Sequence, residues 1–191
     1  ALVGVSTLLS TVFGVLIGIA AAWKRGSPTD YGATGFTMAT YSMPDFWLGM
    51  ILLTVFAVEL GVLPTGGISD PSASGGLGGL IDKAEHMILP CATLAIAYLG
   101  EYALVMRSSL LDTMREDYLT LARAKGLRDV EVRNRHAVRN ALLPIATLSA
   151  INFGFVLSGA IAVETVFSWP GLGLLTAEAI RGPDLPMLQG L

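Results

Sequence analysis

The sequence is short of charge. Asp, Glu, Lys and Arg make up only 14% of its 191 residues, whereas an ordinary soluble domain has about 25%, and 53% of the residues are hydrophobic. The shortage is uneven, because no ionisable side chain occurs between Ala1 and Trp23. An apolar helix of about 20 residues spans the hydrocarbon core of a bilayer. We therefore expect an integral membrane protein.

Other shortages limit the chemistry. The single cysteine, Cys91, excludes an intrachain disulfide, and no cluster of ligating residues surrounds it. The two histidines, His86 and His136, fall in loops that the charge pattern assigns to opposite sides of the membrane, which argues against a membrane-embedded enzyme. No Gly-Lys-Ser/Thr phosphate-binding motif occurs, so any ATP must be hydrolysed in a partner chain. We expect no catalytic residues, metal or cofactor here, and the net charge of −3 gives no signal for nucleic acid.

Four apolar segments are long enough to cross a bilayer. A signal peptide is a poor alternative for the first, because Lys24 and Arg25 follow the apolar run instead of preceding it. We predict an all-α, polytopic transmembrane helical bundle that forms a single domain over 1–191. The predicted transmembrane helices cover about 2–23, 35–58, 87–106 and 143–163.

Basic residues orient the spans, because short loops rich in Lys and Arg stay in the cytoplasm. Most of the basic residues follow the first span or lie between the third and the fourth, whereas 60–86 contains only Lys83. We therefore place 24–34 and 107–142 in the cytoplasm, with outer loops at 60–86 and 164–191. The chain then begins outside without a methionine, so we expect the natural protein to have at least one more span at each end.

Asp45 and Asn152 are the candidates for lining a translocation path. A carboxylate at the centre of an isolated membrane helix costs about 2.5–3.5 kcal/mol, so Asp45 should face protein or water. Pro44 directly before it should kink the second span. The alternative is that Asp45 pairs with backbone amides freed at this kink. Glu101 lies near the cytoplasmic end of the third span, where a long side chain reaches water.

The cytoplasmic segment 107–142 has a helical pattern. Tyr118, Leu121, Ala122 and Lys125 follow helix spacing and form one face of a helix, with an apolar stripe at its centre. Gly126 follows at the usual position of a left-handed C-terminal cap, and a second helix is expected from about Asp129. Such a stripe needs a surface to bury against, which a soluble partner domain would supply.

This segment resembles a known family. Residues 117–127, Asp-Tyr-Leu-Thr-Leu-Ala-Arg-Ala-Lys-Gly-Leu, and the later Arg-His-Ala-Val-Arg-Asn-Ala-Leu-Leu-Pro at 135–144 resemble the cytoplasmic signature loop of binding-protein-dependent ABC importer permeases. The general pattern is Glu-Ala-Ala, three residues and Gly, with Leu-Pro downstream. Thr-Leu-Ala at 120–122 departs from it, and the longer distance from Gly126 to Pro144 is typical of the dipeptide and oligopeptide branch. Further stretches that resemble this branch lie at 22–27, 42–49, 63–66, 164–173 and 184–190.

The resemblance implies a MetI-like fold and the permease subunit of an ATP-driven importer of di- and oligopeptides in the bacterial inner membrane. The same machinery in relatives carries nickel, glutathione or other small solutes, so the cargo stays open. Implied partners are a second, homologous permease subunit, two ATPase subunits that use ATP and Mg, an extracytoplasmic substrate-binding protein and the lipid bilayer. The rival from another class is an ion-coupled secondary transporter, which would need no docking loop.

The resemblance also implies roles for particular residues. By position, 117–126 becomes a coupling helix that docks in a groove of the ATPase subunit, with apolar contact from Leu121 and Ala122. The full set with this implied role is Glu116, Asp117, Tyr118, Leu121, Ala122, Arg123, Lys125 and Gly126. The outer segment 164–173 would face the binding protein, with Phe167, Trp169 and Pro170 as its candidate contacts.

Overall fold

The structure, a computed structural model, describes residues 1–71, 76–158 and 160–190. Within these ranges the regular secondary structure is helical and includes no strand, which confirms the all-α prediction. Residues 72–75, in the predicted outer loop 60–86, lie outside the described residues. So does residue 159, in the predicted fourth span 143–163. Residue 191, the last of the predicted outer loop 164–191, also lies outside them.

The helices are named in chain order. They are α1 (Leu2–Trp23), α2 (Pro28–Ser42), α3 (Asp45–Leu52), α4 (Leu77–Thr113), α5 (Asp117–Ala124), α6 (Asp129–Glu131), α7 (Val138–Ala141), α8 (Leu143–Ser158), α9 (Ile161–Val166), α10 (Leu172–Arg181) and α11 (Leu185–Gly190). Two segments have the wider π-helical geometry: Leu53–Glu59 continues α3, and Val132–Ala137 joins α6 to α7.

Among the described residues, α1 and α4 are each long and apolar enough to cross a membrane. A third crossing results if α2 (Pro28–Ser42) and the next helical segment, Asp45–Glu59, count together as one broken span. Helix α4 extends beyond the predicted span 87–106 at both ends. Apolar patterning marks only the part of a helix that is buried in lipid, while the backbone hydrogen bonds continue into the polar flanks.

The predicted second span, 35–58, consists of two helices. Helix α2 ends at Ser42 and α3 begins at Asp45, with Pro44 between them in an extended conformation (φ −61°, ψ 133°). Proline lacks an N–H and disfavours helical geometry in the residue before it, so a continuous helix ends at this point.

Helix α2 begins earlier than the predicted span, at Pro28. The hydroxyl of Ser27 accepts a hydrogen bond from the Asp30 N–H at 3.3 Å, which is the arrangement of an N-cap. Pro28 then occupies the first helical position, where its missing N–H has no intrahelical partner to lose. These local signals start the helix ahead of the apolar run.

The described structure contains two compact units, and the single domain over 1–191 stays a prediction. The first unit contains Ala1–Thr7, Met43–Ala97 and Phe153–Leu191, and the second contains Leu8–Ser42 and Tyr98–Asn152. Each unit combines segments that are distant in sequence. Contacts of this kind have no local signature in the residues, so the division could not be read from the sequence.

The second unit has a core that joins α4 to the predicted cytoplasmic segment. Its buried members come from α1, α4, α5, α7, α8 and the second π-helical turn: Ala22, Tyr102, Met106, Leu110, Leu119, Ala122, Val132, Ala137, Ala141 and Ile145. Helices α1 and α4 approach closely here. A Cβ atom at Gly18 would lie 2.6 Å from the carbonyl oxygen of Ala103, so this position accepts no side chain without movement of the backbone.

The first unit packs α3, α9 and the early part of α4 together. Gly49 of α3 lies against Phe167, and a Cβ placed on this glycine would come within 3.2 Å of the Phe167 ring. Cys91 of α4 is buried, and its sulfur atom accepts a hydrogen bond from the Ser6 hydroxyl at 3.4 Å. It thus packs as a small core residue, in agreement with its position in an apolar span.

Candidate functional site

Helix α5 has well-defined ends. Glu116 at the N-cap position has an extended backbone (φ −72°, ψ 139°), and its carbonyl oxygen accepts the Leu119 N–H at 3.1 Å. Asp117 lies in the first turn and Arg123 in the last, which places opposite charges where the helix dipole favours them. The helix therefore begins at the residue where the sequence predicts it.

The turn after α5 is a Schellman motif. Gly126 has a φ of +83°, in the left-handed region, and its N–H donates to the Arg123 carbonyl oxygen at 2.9 Å. The Leu127 N–H donates to the Ala122 carbonyl oxygen at 3.4 Å. This pair of bonds satisfies the last carbonyls of the helix, and glycine adopts the required conformation without a Cβ penalty.

One face of α5 is buried within the second unit. Leu119 is fully buried and Ala122 is only 6% exposed, and both belong to the core that contains Met106 and Leu110 of α4. The sequence interpretation gave Ala122 an outward contact, whereas the structure turns it inward. The reason is that Leu119 and Ala122, three residues apart, lie on the same side of the helix. The buried face passes through them and leaves Leu121 outside.

A hydrogen-bond pair ties α5 to the helices that follow it. The Tyr118 hydroxyl accepts from Asn140 Nδ2 at 2.7 Å and donates to the carbonyl oxygen of His136 at 3.5 Å. At the end of α4, the Ser109 hydroxyl donates to the carbonyl oxygen of Ala141 at 3.0 Å. The segment 117–141 is therefore fastened to α4 by polar bonds as well as by its apolar core.

The opposite face of α5 is open. Leu121 is 57% exposed, and charged side chains surround it. Its exposed neighbours from the predicted set are Glu116, Asp117, Arg123, Lys125 and Gly126. Arg123 also reaches Asp129 across the turn at 3.6 Å. We call this exposed group, Glu116, Asp117, Leu121, Arg123 and Lys125, the outward face of α5.

Asp45 lies in the first turn of α3. Its Oδ1 accepts the backbone N–H of Phe46 at 2.7 Å, and Pro44 immediately precedes it. A carboxylate at this point interacts favourably with the free N–H groups of the helix start. This is the geometry of the alternative interpretation, in which Asp45 pairs with backbone amides at the break.

Asn152, the other candidate for a translocation path, lies in the second unit, whereas Asp45 lies in the first. Its Nδ2 donates to the Tyr102 hydroxyl at 3.1 Å and to Glu101 Oε2 at 3.5 Å. Helices α4 and α8 thus share a half-buried polar cluster. The cluster brings Glu101 and Asn152 together. In the sequence analysis these two residues are considered separately, and their pairing is not predicted.

The predicted binding-protein segment is partly buried in its own unit. Phe167 and Trp169 are buried, and Pro170 is exposed. Ser168 between the first two has a φ of +48°, and the Trp169 N–H donates to the Glu164 carbonyl oxygen at 2.8 Å. Of the three candidate contacts, Pro170 alone presents an exposed surface, because this tight turn directs both aromatic side chains inward.

Glu164 anchors this turn from inside the unit. It is 4% exposed, and its two carboxylate oxygens accept the N–H groups of Ala160 at 3.3 Å and Leu174 at 3.0 Å. Leu174 lies in the first turn of α10, so the carboxylate caps that helix. A Cβ atom on Gly173 would lie 2.9 Å from Glu164 Oε2. The Gly-Leu-Gly stretch therefore leaves room for the carboxylate.

The comparison with known families decides the class of the chain. The model of the family described as "Binding-protein-dependent transport system inner membrane component" matches residues 14–191. The chain belongs to this family. It is therefore an inner-membrane component of the transport class to which its signature segment points, and the membrane location predicted from composition is confirmed.

Curated members of the family are similar over nearly the whole chain. The di/tripeptide transport system permease protein DppB of Pseudomonas aeruginosa (strain UCBPP-PA14) is 40% identical over 197 residues, which cover 95% of this chain and 59% of that protein. The dipeptide transport system permease protein DppB of Escherichia coli (strain K12) is 38% identical over 201 residues, covering 96% and 59%. The glutathione transport system permease protein GsiC of Pectobacterium atrosepticum is 41% identical over 181 residues, covering 94% and 55%. The chain thus spans between 55% and 59% of the length of these relatives.

Several residues that shape the site are absent from the sequence interpretation. Leu119 and Asn140 fasten α5, and Glu164 caps α10. For Leu119 the signal is local: an apolar residue next to an apolar stripe widens the apolar face, and helix spacing could have indicated that this side of α5 is buried. Glu164 has a weaker signal, namely an acidic residue in a predicted outer segment followed by two closely spaced glycines.

Proposed function

We propose that the chain forms the membrane permease subunit of an ATP-driven importer of short peptides, and that α5 is the helix through which ATPase subunits act on it. The observation that carries this proposal is the two-sided character of α5. Its inner face is packed on α4, and its outward face presents Leu121, 57% exposed, among charged side chains. An apolar side chain within a charged rim is the usual composition of a docking contact.

The packing of α5 supports a mechanical role. Leu119 and Ala122 contact the same core as Met106 and Leu110, so a force applied to α5 acts directly on α4. Helix α4 is long and apolar enough to cross the membrane. In the proposed mechanism, closure of two partner ATPases on ATP displaces α5, and α4 follows as a rigid body because packed helices shift together. The chain itself hydrolyses nothing.

Short peptides are the proposed cargo. The relatives carry names for di/tripeptide, dipeptide and glutathione transport, and their identities to this chain lie between 38% and 41%. Glutathione is a tripeptide, so it is the second candidate within the same chemical class. A separate extracytoplasmic binding protein is proposed to select among these solutes. A second permease subunit and two ATPase subunits complete the proposed assembly.

The test changes the outward face without disturbing the core. Leu121→Glu places a charge at an exposed position, so the protein should remain in the membrane while the ATPase subunits no longer co-purify and peptide uptake into vesicles is lost. Val130→Glu is the matched control, since Val130 is equally exposed but lies on α6. Normal ATPase binding by Leu121→Glu would contradict the assignment of α5 as the docking helix.

The energy source separates this proposal from a secondary transporter. Vesicles that contain the complete wild-type complex should take up a labelled dipeptide only when ATP is supplied. Collapse of the proton and sodium gradients with ionophores should leave that uptake unchanged. Uptake that follows an ion gradient and ignores ATP would support the secondary transporter instead.

A further inference from the structure

An ion pair between the buried Asp30 and the half-buried Arg107 joins α2 to α4. Arg107 Nε lies 2.8 Å from Asp30 Oδ1, and Arg107 Nη2 lies 3.0 Å from Asp30 Oδ2, so the two groups meet through two parallel hydrogen bonds. Asp30 is 3% exposed, and its carboxylate also accepts the Gly26 N–H at 2.9 Å and the Thr34 hydroxyl at 3.2 Å. A carboxylate with this many donors is held in one orientation.

The same two helices touch at a second point. A Cβ atom at Gly100 of α4 would lie 2.6 Å from the carbonyl oxygen of Thr37 and 2.8 Å from Cβ of Tyr41, both in α2. The contact at Gly100 and the ion pair at Arg107 are separated by about two helical turns along α4, and their partners by about two turns along α2. Two contacts at this spacing keep α2 from sliding or rolling on α4.

The ion pair is adjacent to the residues that hold α5. Met106, the neighbour of Arg107 in the chain, and Leu110, one turn later, belong to the core that contains Leu119 and Ala122 of α5. The last part of α4 therefore contacts α5 on one side and α2 on another. All of these residues lie within the second compact unit.

We propose that Asp30 and Arg107 are positioning residues for transport, because their ion pair makes α2 move together with α4 and α5. This inference rests on the proposed function of α5 as the docking helix. Arginine suits this task because its planar fork forms two parallel bonds with a carboxylate, whereas lysine provides a single, less directional contact. Helix α2 is the first half of the broken span, so a displacement of α5 is transmitted to that half.

The experiment measures the ratio of peptide uptake to ATP hydrolysis by the complete importer in vesicles. Asp30→Asn removes the charge at nearly constant shape, and Arg107→Lys keeps the charge but loses the fork. In both variants we expect ATP hydrolysis to continue and uptake per ATP to fall at least tenfold. Glu131→Gln is the control, because Glu131 pairs with Arg135 at an exposed position of the same unit and should leave the ratio unchanged.

A chemical link between α2 and α4 distinguishes transmission from simple stabilisation. In a Cys91→Ala background, Asp30→Cys with Arg107→Cys should show a low ratio, and a short thiol-specific cross-linker should restore at least half of it. If the pair only stabilises the fold, the variants will yield less assembled complex with a normal ratio per complex, and the inference is overturned. Where Asp30→Asn does not assemble, Arg107→Lys is judged by the same criterion. Wild-type uptake that ignores ATP would instead refute the proposed function.

Discussion

Asn140 donates a 2.7 Å hydrogen bond to the hydroxyl of Tyr118, and this bond joins the helices on either side of the Gly126 turn. It therefore links α5, the proposed docking helix, to α7 within the same segment. Both side chains lie near the protein surface, so their contribution to global stability is small. The bond holds α5 in a fixed orientation relative to α7, because it joins a side chain of each helix.

Tyr118→Phe removes this bond and keeps the ring. The loss of one such bond costs about 0.5–1.5 kcal/mol, so the complex should assemble normally while α5 is held less firmly. We expect uptake to fall several-fold with little change in thermal stability. Tyr31→Phe is the control because Tyr31 is exposed and lies in α2. A normal uptake rate for Tyr118→Phe would show that the bond has no part in coupling.

The conformation of Gly126 provides a second test. Its φ is +83°, and beyond its two chain neighbours no atom lies within 4 Å of the position where a Cβ would stand, so a substitution acts through the local backbone alone. Gly126→Ala should cost about 1–2 kcal/mol and lower uptake. Gly126→Pro should abolish uptake, because it also removes the N–H that donates to Arg123.

Gly61→Ala is the matched control for this substitution. Gly61 also has a left-handed φ, +61°, and open space around its Cβ position, but it lies in the predicted outer loop. The two alanine variants therefore carry a similar backbone strain at different places. Equal effects on uptake in both would mean that strain, and not the turn after α5, is responsible.

The local features of the α5 segment could be predicted from the sequence. The turn at Gly126 depends on a glycine cap that acts on its own neighbours. The start at Asp117 and the restart at Asp129 place acidic residues in the first helical turn, where the helix dipole favours them. The direction in which α5 faces could not be predicted in the same way. It depends on contact with Met106 and Leu110 of α4, and an apolar stripe alone does not distinguish a partner protein from the chain's own core.

The ion pair between Asp30 and Arg107 was beyond sequence reasoning for a similar reason. Asp30 stands next to basic residues in a predicted cytoplasmic loop, and Arg107 begins another such loop, so each is explained as a solvated surface charge. Their partnership depends on helices that are distant in the chain. By contrast, a distortion of the second span at Pro44 was predictable, because proline imposes its constraint on its own neighbours, although the sequence predicts a kink and the structure shows two separate helices.

The inward orientation of Ala122 leads to a third prediction. Ala122→Leu inserts a larger side chain into a core position that is only 6% exposed, and such overpacking typically costs about 1–3 kcal/mol. We expect a lower midpoint of thermal unfolding for the purified complex. Ala124→Leu, on the exposed side of the same helix, is the control and should leave that midpoint unchanged. If Ala122→Leu is as stable as the control and only ATPase binding is lost, Ala122 faces the partner after all.

The last prediction concerns the cap on α10. A Cβ atom at Gly173 would lie 2.6 Å from the backbone nitrogen of Ile161 and 2.9 Å from Glu164 Oε2. Backbone atoms cannot move aside as a flexible side chain does, so Gly173→Ala should displace the carboxylate from the Leu174 N–H at a cost of about 1–3 kcal/mol. After heating to a series of temperatures, size-exclusion chromatography should show that the Gly173→Ala complex is lost at a lower temperature than the wild-type complex. Gly4→Ala is the control, since Gly4 lies in the first turn of α1, in the same unit, with open space around its Cβ position. Equal heat stability of the two variants would mean that α10 does not depend on the carboxylate for its first turn.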